Sequence, residues 1–300
     1  MAMNRHFTSK KLALALAIAG CSINSVWAAS TPSTASVQGS APELRAPSNN
    51  TPQAVDLSSS STDPMTTGDI ITLTYSYSDA DGDADASTAH VSWYYVNGTT
   101  ETQITTGIVN TPATGGSLGT SAMTIPAAAI GASRIKVVIQ EYSATGDPLS
   151  GSTITVDDTS VDGGGTLTPP GPIAPGTDVA GGIFLASDNP TAGSGATDYA
   201  RITSAHPQVG ATYVFRAWDD SNGNGEWDAG EANLTATLGS IQWQLDGSNT
   251  TANGSSAVTT LNNHVIPGAT SDTYTVPLNS ASSSGAIPGD QGFTLKVDFN

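Results

Sequence analysis

The stretch that decides the fold is "ITLTYSYS", Ile71–Ser78, in which apolar and polar residues alternate strictly. Alternation with a period of two, in β-branched and aromatic residues, is typical of a β-strand with one buried face. The same pattern recurs in "SRIKVVIQ" (133–140) and "FTLKVDFN" (293–300), and nothing after the N-terminal segment sustains a helical apolar stripe. The sequence therefore predicts an all-β protein made of antiparallel sandwiches.

The strand segments occur twice in the same order, which indicates an internal duplication. Each copy has a Gly-led strand, an acidic turn, a strand with a central Trp that ends on Gly, a Thr-[Ile/Val]-Pro step and a last strand with Lys-Val. Trp93 and Trp243 take the position at which immunoglobulin-like domains bury a core tryptophan, so we expect both to lie between sheets. The matching segments are 66–83, 91–98 and 122–139 in the first copy, and 207–224, 240–247 and 273–299 in the second.

Composition divides the rest of the chain. Residues rich in Ser, Pro, Ala and Asn precede the first copy, and the Gly/Pro-rich "VDGGGTLTPPGPIAPGTD" (161–178) separates the copies. Such composition is typical of flexible connectors. The predicted organisation is a signal peptide, a disordered leader, a first immunoglobulin-like domain, a linker and a second immunoglobulin-like domain, at 1–28, 29–62, 63–158, 159–178 and 179–300.

The N-terminus has the layout of an export signal. Arg5, Lys10 and Lys11 precede the apolar run "LALALAIAG", and small residues follow. Two processing routes remain open: cleavage after Ala28, which gives a secreted protein, or lipidation of Cys21 in "IAGC", which gives an outer-membrane lipoprotein. The chain has one cysteine, so the folded part contains no disulfide by either route.

Charge excludes several classes of partner. Outside the signal, six basic residues stand against 26 Asp and Glu, so the chain repels nucleic acid and anionic lipid. No apolar run after the signal is long enough to span a bilayer. The acidity is either simple solubility outside the cell or a set of carboxylates that binds a divalent cation. The basic residues are Arg45, Arg134, Lys136, Arg201, Arg216 and Lys296.

One acidic loop, "DDSNGNGEWDAGE" (219–231), matches the twelve-residue calcium-loop pattern D-x-[DN]-x-[DN]-G-x5-E from Asp220 to Glu231. Gly225 occupies the turn position, and the preceding "TYVFRAW" is typical of a strand, so we expect the loop to join strands. The alternative is an exposed Asn/Gly-rich turn. The predicted structural calcium ligands are Asp220, Asn222, Asn224, the backbone carbonyl of Glu226, Asp228 and Glu231.

A second acidic turn, "SDADGDADAS" (78–87), belongs to the first copy. It places carboxylates at alternate positions but lacks the sixth-position Gly and the twelfth-position Glu. The pattern predicts either a weaker calcium site or a solvated acidic turn. Its candidate ligands are Asp79, Asp81, Asp83 and Asp85.

The Trp strands, "TSDTYTVP" (270–277) and the final "LKV" resemble bacterial immunoglobulin-like repeats of surface adhesins. With the export signal and two-copy size, the chain resembles small exported proteins associated with intimin/invasin-type inverse autotransporters, including the zinc-regulated secreted antivirulence type. The resemblance implies an exported, non-enzymatic protein of adhesion or virulence modulation. Its partner would be an outer-membrane inverse autotransporter barrel or a host surface.

Catalytic signatures are missing from the sequence, so we expect no enzyme. There is no phosphate-binding loop or dinucleotide-binding fingerprint, and His6, His90, His206 and His264 have no partners at ligand spacing. Alternative functions are a carbohydrate-binding accessory module and a structural lipoprotein. Carbohydrate binding needs a row of exposed aromatic residues, for which the candidates are Tyr94, Tyr95 and Trp227.

Overall fold

The computed structural model describes residues 30–254 and 257–300. These residues form sixteen strands and no α-helix, as predicted. Residues 38–300 make one compact unit, and residues 30–37 contain no regular element. The predicted signal segment and Cys21 lie outside the described residues.

The first ten strands form two sheets. One sheet has the order β10-β2-β3-β7-β6, with β1 also paired to β3, and the other has the order β5-β4-β8-β9. The strands are β1 (Glu43–Arg45), β2 (Asp56–Ser59), β3 (Ile70–Ser78), β4 (Val91–Asn97), β5 (Thr100–Ile104), β6 (Ile108–Thr111), β7 (Gly119–Thr124), β8 (Arg134–Tyr142), β9 (Ser150–Val156) and β10 (Gly164–Gly165).

The last six strands form two three-stranded sheets, β11-β12-β15 and β14-β13-β16. The strands are β11 (Val179–Leu185), β12 (Thr212–Asp219), β13 (Ile241–Ser248), β14 (Thr260–Val265), β15 (Thr273–Thr275) and β16 (Thr294–Phe299). Short 3-10 turns occupy Ser87–His90, Ala127–Ala129, Ala186–Asp188, Thr235–Thr237 and Asn279–Ala281.

Each pair of sheets encloses an apolar core with a tryptophan at its centre. Trp93 and Trp243 are fully buried, as predicted. The Trp93 indole N–H donates to Ser121 Oγ across the sheets at 2.9 Å, and the Trp243 indole N–H donates to the Ser271 carbonyl at 2.9 Å. Both indoles therefore bury their ring and satisfy their one polar group.

The predicted disordered leader is wrong for residues 43–59, which include β1 and β2. Leu44, Val55 and Leu57 are buried in the first core, and β2 pairs antiparallel with β3. The segments escape sequence analysis because three or four residues are too few for alternation to stand out among Ser, Pro and Ala. The first sandwich therefore begins before the predicted boundary at residue 63.

The predicted linker is also ordered rather than a free connector. Gly164 and Gly165 pair with β2, where an added Cβ would lie 2.2 Å from Asp56 Oδ1 or 2.3 Å from the Leu57 carbonyl oxygen, respectively. Ile173 is fully buried in the first core. The glycines thus permit close backbone approach. Composition alone predicts a flexible connector here, because glycine is common in both settings.

The two sandwiches contact each other through the turn after β7. Ala127 and Ile130 lie in this turn, and both belong to the core cluster of the second sandwich. The Thr67 hydroxyl donates to Asp178 Oδ1 at 2.5 Å and accepts the Gly176 N–H at 2.8 Å. The connector is therefore fixed at its end as well as along its length.

Candidate calcium sites

The loop at residues 219–231 extends from the end of β12 and returns to it. Trp218 forms an antiparallel bridge with Asn233, and the Asp219 N–H donates to the Ala232 carbonyl at 3.0 Å. The flanking segments are thus extended, in agreement with the predicted setting between strands. Sensor-type calcium loops lie between two helices, whereas extended segments position the residues of this loop.

Backbone amides hold the first half of the loop in place. The two carboxylate oxygens of Asp220 accept the N–H groups of Asn224 at 3.1 Å and Gly225 at 2.8 Å. Asn222 Oδ1 accepts the Asn224 N–H at 3.0 Å. Gly225 has φ +77°, a left-handed conformation that favours glycine. The local turns therefore bring the side-chain oxygens of alternate residues toward the inside of the loop.

Asp228 lies opposite this half of the loop. Its Oδ2 accepts the side-chain N–H groups of Asn222 at 2.8 Å and Asn224 at 2.7 Å. These two hydrogen bonds, that from Asn222 first, lower the pKa of the Asp228 carboxyl below its ordinary value. Three predicted ligand residues are therefore in mutual contact.

Glu231 closes the loop from its buried end. The residue is 8% exposed, and its side-chain Oε2 accepts the Asp228 N–H at 2.9 Å. Its other oxygen, Oε1, is buried and has no hydrogen-bond partner in the described residues. A buried carboxylate oxygen without a partner is costly. A hard cation is one group that would satisfy it, so the residues present fit a calcium ion.

The carboxylates nevertheless lie closer together in the first acidic turn, residues 78–87, than in the loop at residues 219–231. In the described part of the chain, only Asp79, Asp81 and Asp83 bring three acidic ligand atoms within 4.8 Å of one another. The sequence predicts the loop at residues 219–231 as the stronger site. The structure provides three gathered carboxylates at the first turn, and at the second loop a mixed set of amides, carboxylates and one unpartnered oxygen.

Asp79 organises the first turn. Its Oδ1 accepts the N–H groups of Asp81 at 2.9 Å, Gly82 at 3.0 Å and Asp83 at 3.3 Å. Its Oδ2 is buried without a partner in the described residues. Burial, and next the nearby Asp79 carboxylate, raise the pKa of Tyr77 to about 12. The turn therefore concentrates negative charge around an unsatisfied oxygen.

Two distant segments support the first turn. The Ser40 N–H donates to Asp81 Oδ2, and the Thr145 hydroxyl donates to Asp83 Oδ1. A Cβ added at Gly146 would lie 2.5 Å from Asp83 Oδ2. Sequence analysis missed Ser40 and Thr145 because they are far away in the chain. The local signals were the adjacent glycines, Gly39 and Gly146, which permit close approach to Asp81 and Asp83.

Asp85 does not join the predicted ligand set. Its carboxylate accepts the Tyr75 hydroxyl at 2.6 Å, the Ser87 N–H at 2.8 Å and the Ala113 N–H at 2.8 Å. Burial, followed by this carboxylate, raises the pKa of Tyr75. Asp85 therefore ties β3 to the following segments, and its inclusion among the calcium ligands is corrected.

The aromatic candidates do not form an exposed row. Trp227 stacks on Trp218 with ring centroids 5.8 Å apart, and its ring centroid lies 6.2 Å from that of Phe184. Tyr95 packs against the first core, and Tyr94 is half-buried beside Lys136 on β8. Trp227 thus covers its own sheet, so the platform that carbohydrate binding requires is not assembled from these residues.

The histidines occupy separate environments. His90 stacks on Tyr142 with centroids 3.8 Å apart, His206 lines a cavity beside β16, and His264 contacts the Ser283 carbonyl at 3.2 Å. None belongs to a group of three potential metal ligands within the described ranges.

Comparison with protein-family models gives no match, and comparison with curated protein sequences gives none either. Within residues 30–254 and 257–300, no helix is both long and apolar enough to cross a membrane.

Proposed function

We propose that this chain is an exported, non-enzymatic interaction protein whose two immunoglobulin-like sandwiches are stabilised by calcium. It acts by protein contact at the bacterial surface, in adhesion or virulence modulation. Its partner is an outer-membrane inverse autotransporter barrel or a host surface protein. The export signal and the strand motifs quoted above support this assignment.

The observation that carries the proposal is Glu231 Oε1, which is buried in an oxygen-rich loop at a strand end and has no hydrogen-bond partner in the part of the chain that the structure describes. An ion bound there neutralises the Asp220, Asp228 and Glu231 carboxylates and fixes the loop to β12. Because such an ion binds the folded state only, it adds stability in a protein that has no disulfide. Extracellular calcium is abundant enough for sites of modest affinity.

The partner is tested by pull-down from outer-membrane extracts, with the purified protein as bait in calcium and in EDTA. We expect a barrel protein to be recovered in calcium and lost in EDTA and with Glu231→Gln. Glu226→Gln serves as the matched control, because Glu226 is predicted to contribute only its backbone carbonyl. Recovery of no barrel protein in calcium would contradict the outer-membrane barrel as the partner.

Anchoring is tested separately by metabolic labelling with a palmitate analogue. A secreted protein cleaved after Ala28 takes up no label. Label that disappears in Cys21→Ser would instead assign the protein to the outer-membrane lipoproteins.

A further inference from the structure

The outer edge of β16 is unpaired. β16 is the terminal strand of the sheet β14-β13-β16, and no other strand in the described part of the chain pairs with it. An unpaired edge exposes a row of N–H and C=O groups that can accept another strand.

The alternation of hydrogen-bonded pairs between β13 and β16 identifies which backbone groups of β16 are not used in the sheet. Ser240 and Asn300 exchange both backbone hydrogen bonds, at 2.9 and 3.1 Å. In an antiparallel ladder such pairs alternate, so the even-numbered residues of β16 bond to β13. The N–H and C=O groups of Leu295, Val297 and Phe299 consequently point away from the sheet.

The side chains of the strand divide by face. Leu295, Val297 and Phe299 are half-buried against the second core, whereas Thr294, Lys296 and Asp298 are exposed. One face of an added strand would therefore meet apolar side chains, and the other would meet a lysine and an aspartate.

There is open space along this edge. A cavity of about 520 Å³ lies beside it, lined in part by Gly181, Tyr199 and His206 and by every residue of β16 except Asp298. A second concavity, of about 610 Å³, reaches Phe299 and Asn300 at the end of the strand. The apolar side chains of β16 are thus accessible to an incoming strand.

The charges on β16 are complementary to those of a second β16. If two copies pair antiparallel about Val297, Lys296 of each lies directly opposite Asp298 of the other. The neighbouring registers that keep the same hydrogen-bond phase place Lys296 opposite Lys296, or Asp298 opposite Asp298. Opposite charges in directly facing positions are favourable, and like charges are unfavourable.

We propose that two copies of this chain associate through their β16 edges, antiparallel and centred on Val297, to form one continuous six-stranded sheet. The outward groups of Leu295, Val297 and Phe299 are those that this register joins, with Val297 bonded to Val297 and Leu295 bonded to Phe299 of the second copy. The apolar side chains of both copies then lie side by side over the cavity. A two-fold axis at Val297 makes the interface isologous and closed. This association does not depend on calcium binding.

Sedimentation velocity over a range of concentrations tests the pairing in the purified protein. We expect a monomer-dimer equilibrium, weakened about tenfold or more by Lys296→Asp and by Asp298→Lys, each of which puts like charges opposite each other. An equimolar mixture of the two single variants restores opposite charges, so it should form a heterodimer. The double variant, Lys296→Asp with Asp298→Lys, should dimerise like the natural chain.

Circular dichroism and thermal melts check that each variant is folded, and the mixture guards against a trivial loss of folding. Hydrogen exchange should slow with concentration at the amides of Leu295, Val297 and Phe299. A protein that stays monomeric up to about 1 mM overturns the proposal. A dimer that is insensitive to both single variants also overturns it, since the copies would then meet through another surface.

Discussion

Glu231 and Asp228 are joined by a hydrogen bond of 2.9 Å from the Asp228 N–H to Glu231 Oε2, while Glu231 Oε1 remains buried without a partner in the described residues. The contact fixes the orientation of the glutamate, so the unpartnered oxygen is held inside the loop. The Glu231 carboxylate, with one oxygen hydrogen-bonded and the other not, is therefore the group whose substitution tests calcium binding at this loop most directly.

We expect millimolar calcium to raise the melting temperature relative to EDTA, and Glu231→Gln to remove the part of the rise that this loop contributes. A ligand at a hundred times its dissociation constant stabilises the folded state by about 2.7 kcal/mol, which corresponds to roughly 5 to 10 °C in a chain of this size. Differential scanning calorimetry measures the shift. Glu226→Gln, an exposed change in the same loop, should keep it. Equal melts for the natural protein in calcium and EDTA would show that the loop is a polar turn.

Stoichiometry separates the two candidate sites. Asp79, Asp81 and Asp83 converge, and Asp79 Oδ2 has no hydrogen-bond partner among the described residues, so we expect isothermal titration to give two calcium ions per chain. Asp81→Asn should remove one, and Glu231→Gln the other. Asp162→Asn, at an exposed position of the connector, should leave both. A single ion lost only with Glu231→Gln would mean that the first turn is a solvated acidic turn.

How far the sequence predicts this structure depends on the length of each signal. Strands β3, β8 and β16 alternate over six or more residues, and the tryptophans at 93 and 243 stand in clear strand contexts, so local pattern suffices. The leader strands β1 and β2 and the connector strand β10 have two to four residues. Their pairing is decided by partners distant in the chain, which composition cannot reveal.

The same limit applies to the acidic residues. The regular spacing makes four aspartates, Asp79, Asp81, Asp83 and Asp85, equally good candidate ligands. In the structure, Asp85 accepts a hydrogen bond from the Tyr75 hydroxyl, whereas the carboxylates of the other three lie close together. Which carboxylate turns inward depends on a tyrosine ten residues earlier and on an amide at Ala113. Sequence spacing therefore identifies the turn but not the membership of the site.

The connector offers a stability prediction. Ile173 is fully buried in the first core, so Ile173→Ala should lower the free energy of unfolding by about 2–5 kcal/mol. Loss of this contact should also release residues 161–178 to proteolysis. Urea denaturation measures the change in unfolding free energy, and limited proteolysis with a broad-specificity protease measures the cleavage of the connector. Leu167→Ala, at a position 38% exposed, is the matched control. Rapid connector cleavage in the natural protein would contradict the docked arrangement.

The hydrogen bond between Trp93 and Ser121 predicts a cost for removing one small group. Both residues are fully buried, so Ser121→Ala leaves the indole N–H without its partner at 2.9 Å. We expect a loss of about 1–3 kcal/mol in the free energy of unfolding. Thr120→Ala, on the same strand but half-exposed, should cost less. Equal losses for the two variants, measured by chemical denaturation, would assign the effect to strand propensity instead.

The Asp228 carboxyl predicts a pH dependence in calcium-free protein. Hydrogen bonds from Asn222 and Asn224 lower its pKa in the folded state. Stabilisation from this depressed pKa is therefore present above the unfolded-state pKa and is lost as pH falls through the folded-state pKa. In EDTA, replacing both asparagines with alanine should raise the Asp228 pKa toward its ordinary value, as followed by carboxyl carbon NMR. Asn262→Ala, an exposed change on β14, should leave the titration unchanged. If the double variant titrates like the natural protein, the two amides do not stabilise the ionised form of Asp228.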